Sequence, residues 1–531
     1  MVDATDGRPE LVSAMLEPGF YPDRPGSVEL RETHISWVFL AGELAYKVKK
    51  PLVLPFLDYG SLERRREMCQ EEVRLNRRLA PEIYRRVVSI VRDGDGYALA
   101  EEGAQEASEY AVEMRRVDEE RSLAALAGRD ELEPAQLAAV AELLARFHAE
   151  APVAPSGTGG FDDLVATLEE NLQTLRETAA PVFGERRLDS AERFTRGFLV
   201  ARRQSIERRA GEGLVRDGHG DLRAEHVIVP SPGEVYVYDC VEFDPSLRRI
   251  DVANDVAFLV MDLAALGAEE AGFSLIDAYR RAGGDPGDDA LLSFFASYRA
   301  WVRAKVAALR ARELAEGDPE SSEQEERARA LFRLGHRLAW RARRPLALVV
   351  CGVAASGKST LAREVADLSG WEHLSSDLVR KRIAGLAPTE RARPEHYSRE
   401  FTESTYRELG EAAGAALERG EGVIVDATFH RRHQRDAFRD GLGERSAPLL
   451  FVQCRASEEV LLERSGVREG ERDRVSDADA EVVRRQLAEL EPLEEIPAGS
   501  RAELLTEAPP GKLLGELEGL VDARLWRPPK A

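Results

Sequence analysis

The sequence has little cysteine and no long apolar run. Its four cysteines (Cys69, Cys240, Cys351 and Cys454) lie far apart without a CxxC pair, which argues against a disulfide framework and a structural zinc site. No apolar run approaches the roughly 20 residues that cross a bilayer, and the first residues lack the basic-then-apolar pattern of a signal peptide. We therefore expect a cytoplasmic protein without a membrane segment.

Positive charge is outnumbered by negative charge. The 531 residues include 74 Lys plus Arg against 96 Asp plus Glu, which gives a formal net charge of −22. An acidic surface does not suit a protein that holds long nucleic acid by neutralising its phosphates. Only eight of the basic residues are lysine. Because arginine is preferred throughout the chain, a retained lysine suggests a need for a compact point charge.

Strand and helix patterns divide the chain into segments that differ in predicted secondary structure. The first hundred residues read as short strands with a hairpin at 41–43 and one helix over 61–79. A mostly helical stretch follows and leads into a charged helical connector. After Pro345, short apolar strands alternate with helices, which predicts a parallel sheet with crossover helices. The predicted segments are 1–116, 117–312, 313–345 and 346–531, and the predicted fold class is α/β combined with α+β.

The strongest motif follows the first strand of the last segment. Residues 352–359, GVAASGKS, fit GxxxxGK[ST] between an apolar strand and a helix, which is the context that the motif requires. The glycines let backbone N–H groups face phosphates, Lys358 supplies a positive charge and Ser359 offers a hydroxyl to Mg²⁺. We expect ATP, or another nucleoside triphosphate, with Mg²⁺ to bind at Gly352, Ser356, Gly357, Lys358, Ser359 and Thr360.

Two acidic residues near this motif indicate phosphoryl transfer. Asp377 lies just beyond the second predicted strand, where ligands of open parallel sheets bind. It could accept the proton of an acceptor hydroxyl while Arg380 or Lys381 holds an anionic group; alternatively, Asp377 only caps its helix. Asp426, at the end of an apolar strand, is placed to orient Mg²⁺, and the alternative is a turn aspartate.

Arginines follow further along this segment. Arg464, Arg468 and Arg472 are spaced four apart, which places them on one face if the stretch is helical. Such a face predicts a lid over the transferring group, and the alternative is a solvated helix with Glu partners. We expect Arg464 and Arg468 to contact the nucleotide.

On the motifs GVAASGKST, SSDLVRKR and VIVDATF, the last segment resembles the small P-loop kinases. These include gluconate kinase, the zeta toxins, chloramphenicol phosphotransferase and the kinase domain of phage polynucleotide kinase. The resemblance covers about residues 346–521. It implies ATP-dependent phosphoryl transfer and does not specify the acceptor.

A second set of acidic residues lies in the middle of the chain. The stretch DGHGDLRAEHVIV is followed by VYVYDCVEFD, so a predicted hairpin separates Asp221 from Asp239. This spacing fits a base that positions an acceptor hydroxyl and a second acid that holds Mg²⁺ against phosphates. Asp221 would be the base and Asp239 the metal ligand.

The pattern HGDL followed by YDCVEFD resembles the aminoglycoside phosphotransferase family, whose members are relatives of protein kinases. The resemblance covers about residues 30–310 and implies a two-lobed kinase-like fold, with 1–116 as the N-lobe and 117–312 as the C-lobe. The chain as a whole resembles a bacterial fusion of this domain type with a small P-loop kinase.

The same resemblance implies a lysine and glutamate pair. Lys47 would be the strand lysine that reaches the α- and β-phosphates, and Glu72 would be its partner on the helix. By helical phase Glu71 is an alternative to Glu72, and Lys49 or Lys50 is an alternative to Lys47.

One position departs from the kinase pattern. His226 stands five residues after Asp221, where kinases have asparagine, and imidazole is a poor ligand for Mg²⁺. A one-metal mechanism or another acid, such as Glu242, would compensate. The downstream Asp251 and Asp255 match family aspartates that structure the site more than they catalyse.

The sequence therefore predicts a bifunctional ATP-dependent kinase, each half of which phosphorylates a hydroxyl of a small molecule. Two alternatives stay open. In one, the first half is an ATP-binding pseudokinase that regulates the second; in the other, the protein is a nucleic-acid end kinase. The acceptors and the oligomeric state are not encoded in any recognisable pattern, because acceptor pockets are built from variable helices and loops.

Overall fold

The computed structural model describes residues 9–54, 57–94, 96–314, 318–444, 447–468 and 480–526. The chain forms two compact units, each of which is discontinuous in sequence. The first unit consists of Met1–Leu164 and Ser205–Gly287, and the second of Val165–Gln204 and Asp288–Ala531. None of the helices in the described ranges is long and apolar enough to span a bilayer.

Runs of strands and runs of helices follow one another along the described chain. The helices are α1 Glu10–Met15, α2 Leu62–Asn76, α3 Leu123–Gly128, α4 Pro134–Glu150, α5 Phe161–Phe183, α6 Glu185–Gly211, α7 Val252–Ala265, α8 Glu269–Arg281, α9 Asp289–Glu313, α10 Pro319–Arg341, α11 Lys358–Ser369, α12 Ser376–Ile383, α13 Arg399–Glu418, α14 Arg432–Leu442, α15 Glu458–Arg468, α16 Ala480–Ala488 and α17 Pro510–Leu525. The strands are β1 Val28–Glu32, β2 Ser36–Ala41, β3 Leu44–Lys49, β4 Val53–Leu54, β5 Leu57–Asp58, β6 Tyr84–Asp93, β7 Gly96–Glu101, β8 Ala107–Arg115, β9 Val215–Asp217, β10 Val227–Ser231, β11 Glu234–Val237, β12 Arg249–Asp251, β13 Leu346–Cys351, β14 Glu372–Ser375, β15 Gly422–Ala427, β16 Leu449–Arg455 and β17 Arg501–Leu505.

The first unit begins with a six-stranded antiparallel sheet in the order β1-β2-β3-β8-β6-β7. The predicted hairpin joins β2 to β3, and Gly42, at a φ of +65°, supplies the left-handed turn that L-residues adopt at a cost. The helix α2 follows, close to the predicted 61–79, and its Cys69 and Val73 pack against this sheet. The predicted strands and helix of this region are confirmed.

The rest of the first unit is mostly helical. The helix α7 is buried along almost its entire length, and α8 packs against both α4 and α7. Two small antiparallel ladders, β9 with β12 and β10 with β11, lie beside these helices. The loop between β9 and β10 carries Asp221, so the ladders and α7 fix the position of this residue.

The second unit contains a five-stranded parallel sheet in the order β14-β15-β13-β16-β17. Every residue of β13 is buried, as expected for a strand that is covered on both faces. Alternate residues of β13 pack on opposite faces: Val349 belongs to the core with α13 and α14, and Leu348 to the core with α11 and α17. The predicted parallel sheet and fold class are confirmed.

The helical residues 165–204 and 288–341 belong to the second unit rather than to the first. Stacked rings join them, since the centroids of Phe183 and Phe332, and those of Phe198 and Phe294, lie 4.1 Å apart. The segments expected from the sequence assigned these helices to a kinase-like C-lobe and a connector. The grouping depends on aromatic contacts between distant residues, which a local pattern does not encode.

The helix α17 is held against these helices by buried polar contacts. Arg343 Nε and Nη2 donate to the two carboxylate oxygens of Asp522 at 2.7 and 2.9 Å, with both side chains nearly inaccessible to solvent. Trp340 Nε1 donates to Glu518 at 3.0 Å, and Ser190 donates to the other oxygen of the same carboxylate. The helix is therefore part of the core of the second unit.

Candidate active sites

The phosphate-loop motif of the second unit lies between β13 and α11. Gly352 has a φ of +143°, and a Cβ at this position would lie 2.6 Å from the carbonyl oxygen of Cys454. Gly357 has a φ of +86° and precedes the first residue of α11. The loop therefore requires glycine at both motif positions. Ser356 Oγ is buried without a hydrogen-bond partner among the described residues, which leaves a polar group directed into the loop.

Asp426 lies at the carboxyl end of β15, in register with Val350 of β13 and Ser375 of β14. Its side chain is buried, and its Oδ1 has no hydrogen-bond partner in the described part of the chain. Burial opposes ionisation, but His373, whose Nε2 lies 3.7 Å from Oδ2, together with Lys358 and Ser359 holds the pKa of the carboxyl below its ordinary value. An ionised carboxylate with an unpaired oxygen beside a serine hydroxyl fits the oxygen preference of Mg²⁺.

Asp377 lies in the first turn of α12, directly beyond β14, as the sequence predicted. Its neighbours Arg380 and Lys381 are both buried. Arg380 Nη1 donates to the carbonyl of His396 at 2.6 Å, and Lys381 Nζ donates to the carbonyl of Pro388 at 2.9 Å. Both cations therefore hold the segment after α12, and the binding of an acceptor by Arg380 stays a prediction.

Arg464 on α15 is linked to the phosphate loop by Thr506, the residue that follows β17. Its Nη2 donates to the carbonyl of Thr506 at 2.7 Å, while Thr506 Oγ1 donates to the carbonyl of Ser356 at 2.6 Å. The side chain of Arg468 and the whole of Arg472 lie outside the described residues. Thr506 was missed at the sequence level as a site residue, although it lies at the end of a predicted parallel strand and so at the edge where ligands bind.

In the first unit, the predicted Lys47, Glu72 and Asp239 are in direct contact. Lys47 Nζ lies 2.8 Å from Glu72 Oε1 and 2.7 Å from Asp239 Oδ1. Glu71 instead faces Arg74 and Arg248, so the structure selects Glu72 as the partner. Burial opposes the charge of Lys47, but Asp239 and Glu72 raise the pKa of its ammonium group well above the ordinary value.

A second lysine shares the same glutamate. Lys49 Nζ lies 2.7 Å from Glu72 Oε2 and also contacts Glu242, whose carboxylate accepts a hydrogen bond from Tyr59 at 2.5 Å. Lys47 and Lys49 are two positions apart on β3 and therefore point to the same face. That spacing is the signal by which the paired arrangement could have been found in the sequence.

The backbone around Asp239 is held in an unusual conformation. Asp239 has a φ of +63°, and its N–H donates to Tyr84 Oη at 3.2 Å. The next N–H, that of Cys240, donates to Asn76 Oδ1 at 2.8 Å. Burial opposes ionisation of Asp239, but Lys47 and His226 hold the pKa of its carboxyl far below the ordinary value. A strained non-glycine residue fixed by neighbouring side chains is typical of functional sites.

The loop that carries Asp221 is anchored by Asp255. Asp255 accepts hydrogen bonds from the N–H groups of His219 at 2.7 Å and Gly220 at 3.0 Å, and it lies at 0% exposure on α7. Asp255 therefore positions the loop, as expected. Burial opposes ionisation of Asp221, but Arg223 and His226 lower the pKa of its carboxyl.

In the site of the first unit, Lys47 thus lies in contact range of two acids, Glu72 and Asp239. His226 Nε2 lies 3.6 Å from Asp239 Oδ2, which brings the residue that departs from the kinase pattern into the predicted metal site. Among the described residues, no group of three or more His, Cys, Asp or Glu side chains has the arrangement of a metal-binding cluster. Asp239 fits a site in which the nucleotide phosphates and water provide most of the ligands.

Comparison with known proteins finds a relative of most of the chain and a domain model that matches its P-loop region. An AAA domain model matches residues 348–493. The uncharacterized protein Rv2004c of Mycobacterium tuberculosis is 33% identical over 462 residues, which cover 86% of this chain and 89% of that protein. The probable gluconokinase of Schizosaccharomyces pombe is 29% identical over 145 residues, which cover 27% of this chain and 71% of that protein. A solved aminoglycoside phosphotransferase-like protein from Ralstonia eutropha has 15% identity and a TM-score of 0.34, over 59% of this chain and 92% of its own.

Proposed function

Because this chain belongs to the family of the mycobacterial protein Rv2004c and is an ATP-dependent kinase with a P-loop kinase domain, we propose that it is bifunctional, with a separate phosphotransferase site in each half. Each site transfers a phosphoryl group from ATP to a hydroxyl of a small molecule. In this proposal the first half acts in the manner of the aminoglycoside phosphotransferases.

The observation that carries the proposal is the ion-pair cluster of the first unit. Lys47 contacts both Glu72 and Asp239, so a cation and an acid that would hold phosphates and a metal ion lie together. Asp221 lies on a loop fixed by Asp255, which suits a group that receives the acceptor hydroxyl. A protein that only bound ATP would have no use for such a base.

In the second unit, the phosphate loop with Lys358 would hold the ATP phosphates. Ser359 and Asp426 would hold Mg²⁺, which supplies charge neutralisation at the phosphates when bound. Arg464 would add a positive charge at the same loop. Asp377 would orient the acceptor hydroxyl and accept its proton, because it lies beyond the carboxyl end of β14.

Gluconate and other sugar acids are the first acceptors to test at the second site. The probable gluconokinase of Schizosaccharomyces pombe is 29% identical to this chain over 145 residues, and the motifs of the second unit resemble those of the gluconate kinase type. For the first site, sugars, nucleosides and aminoglycosides are the appropriate screening set, since their hydroxyl groups are the chemistry that Asp221 can serve.

A regulatory first half is the second candidate function. His226 favours it, because this residue replaces the asparagine that holds a metal ion in active kinases. In that case the first unit would bind ATP and alter the rate of the second unit without forming a product of its own.

Two single variants, Asp221→Asn and Lys358→Ala, separate these functions. They are assayed on a panel of acceptors with products resolved by mass. The bifunctional proposal expects each substitution to remove a different product and to spare the other. If Asp221→Asn removes no product and changes only the rate at the P-loop site, the first half is regulatory.

A further inference from the structure

Arg223 contacts the carboxylate of Asp221 in the first unit. Its Nε lies 3.0 Å from both carboxylate oxygens of Asp221, and its Nη2 lies 2.9 Å from Oδ2. The Arg223 side chain is only 16% exposed. The guanidinium charge is therefore placed beside the expected base and is largely withdrawn from solvent.

His226 makes a second contact with the same guanidinium. Arg223 Nη2 lies 2.9 Å from His226 Nε2, and because a guanidinium only donates, Nε2 must accept. His226 Nδ1 lies 2.9 Å from the carbonyl oxygen of Asp221, so it carries the ring proton and donates. The imidazole is neutral in this arrangement, and its single available lone pair is engaged by Arg223.

This arrangement does not fit a second metal ion. Protein kinases hold two Mg²⁺, one on an aspartate equivalent to Asp239 and one on the asparagine of the catalytic loop. Here His226 stands at the position of that asparagine, and its lone pair is already occupied. Mg²⁺ prefers oxygen ligands, and a neighbouring guanidinium would repel a further divalent cation.

We propose that the site of the first unit takes one divalent cation with its nucleotide, and that Arg223 supplies the positive charge that a second cation would bring. The inference rests on the proposed phosphotransferase role of this unit. Asp239 remains available for the single ion. Nε and Nη2 orient Asp221, and Nη1, which also contacts Glu225, keeps one N–H that can reach a phosphate oxygen.

The number of bound ions tests this inference without reference to activity. Mn²⁺ is titrated into the full-length protein with a non-hydrolysable ATP analogue, and free Mn²⁺ is measured by electron paramagnetic resonance. We expect two tightly bound ions per chain, one in each unit. Asp239→Asn should reduce the number to one. The double variant Arg223→Ala/His226→Asn should raise it to three, because the cation is removed and an oxygen ligand is provided.

The outcomes separate the inference from the proposed function. Three ions in the unmodified protein would overturn the inference and leave a two-ion kinase site in the first unit. A single ion, unchanged by Asp239→Asn, would show that this unit holds no metal and nucleotide, so both proposals would fail. A double variant that keeps the far-ultraviolet circular dichroism of the parent but binds only two ions would exclude Arg223 and His226 as the cause. If the double variant does not fold, the count in the unmodified protein decides.

Discussion

Lys49 and Glu242, which are 193 positions apart in the chain, form an ion pair inside the first unit, with side chains only 1% and 5% exposed. Lys49 also contacts Glu72, the partner of Lys47. A buried ion pair therefore joins the strand β3 to the segment that follows Asp239. Breaking such a pair leaves an uncompensated buried charge.

Lys49→Met should destabilise the first unit strongly. The substitution leaves Glu242 buried without its cation, and removal of one partner of a buried pair typically costs about 3–5 kcal/mol. Lys50→Met is the matched control, because Lys50 pairs with Glu32, whose side chain is 54% exposed, and should cost less than about 1 kcal/mol. Urea unfolding followed by circular dichroism measures both. Equal losses in the two variants would contradict the assigned role of Lys49.

His336 should make the second unit less stable in mild acid. The residue is buried against Phe332 and Trp301, and burial, followed by the charge of Arg343, lowers the pKa of its imidazole from 6.5 to about 3. Between these values the unfolded chain binds the proton and the folded chain does not. The free energy of unfolding should therefore fall as the pH falls below 6.5, by about 1.4 kcal/mol per pH unit.

His336→Leu should remove this part of the pH dependence. The measurement is urea unfolding between pH 7 and pH 4, followed by tryptophan fluorescence, since four of the five tryptophans belong to the second unit. The stability of the parent should decline more steeply than that of the variant. Parallel profiles would mean that His336 does not control the acid sensitivity.

Lys358→Ala should abolish transfer at the P-loop site without unfolding the chain. The ammonium group is expected to hold the β- and γ-phosphates, and alanine leaves the helix α11 intact because it is a good helix former. Lys512→Ala is the control, since Lys512 is exposed on α17 and forms a surface pair with Glu516. Product formation by the full-length protein is measured on the acceptor found for this site. Unchanged turnover in Lys358→Ala would remove this lysine from the mechanism.

Asp377→Asn should lower the transfer rate by about 10²- to 10⁴-fold, the usual contribution of a general base. The affinity for Mg·ATP should stay within a few-fold, because Asp377 is assigned to the acceptor rather than to the nucleotide. Calorimetric titration with Mg·ATP analogue and a single-turnover assay separate the two effects. A variant that loses nucleotide binding but keeps its rate would place Asp377 in the metal site.

Local patterns were sufficient to predict the sheet of the second unit. The strands β13 and β14 alternate with helices as the pattern after Pro345 indicated, and the phosphate loop lies between β13 and α11 as its motif requires. The pairing of Lys47 with Glu72 was also predicted, through a resemblance to kinases. These features depend on residues that are close in sequence or on a known motif.

The remaining features depend on contacts between distant residues. Glu242 reaches Lys49 because β3 and the segment after Asp239 meet in the folded chain, and no short pattern records that meeting. Arg223 and Asp221 are close in sequence, so their ion pair is a local contact. Its effect on metal binding depends on His226, which contacts Arg223 and lies near Asp239 only in the folded chain. The ion pairs of a site are thus harder to predict from the sequence than the helices and strands on which the charged residues lie.

The contact between Ser190 and Glu518 spans 328 positions of sequence, and this has a consequence for synthesis of the protein. Ribosomes add roughly 5–20 residues per second, so residues 165–204 wait on the order of 15–65 s before α17 is made. During that interval Phe198, which packs against Trp526 in the folded protein, lacks this partner. A chaperone that binds exposed aromatic residues should therefore associate with the nascent second unit until α17 has been translated.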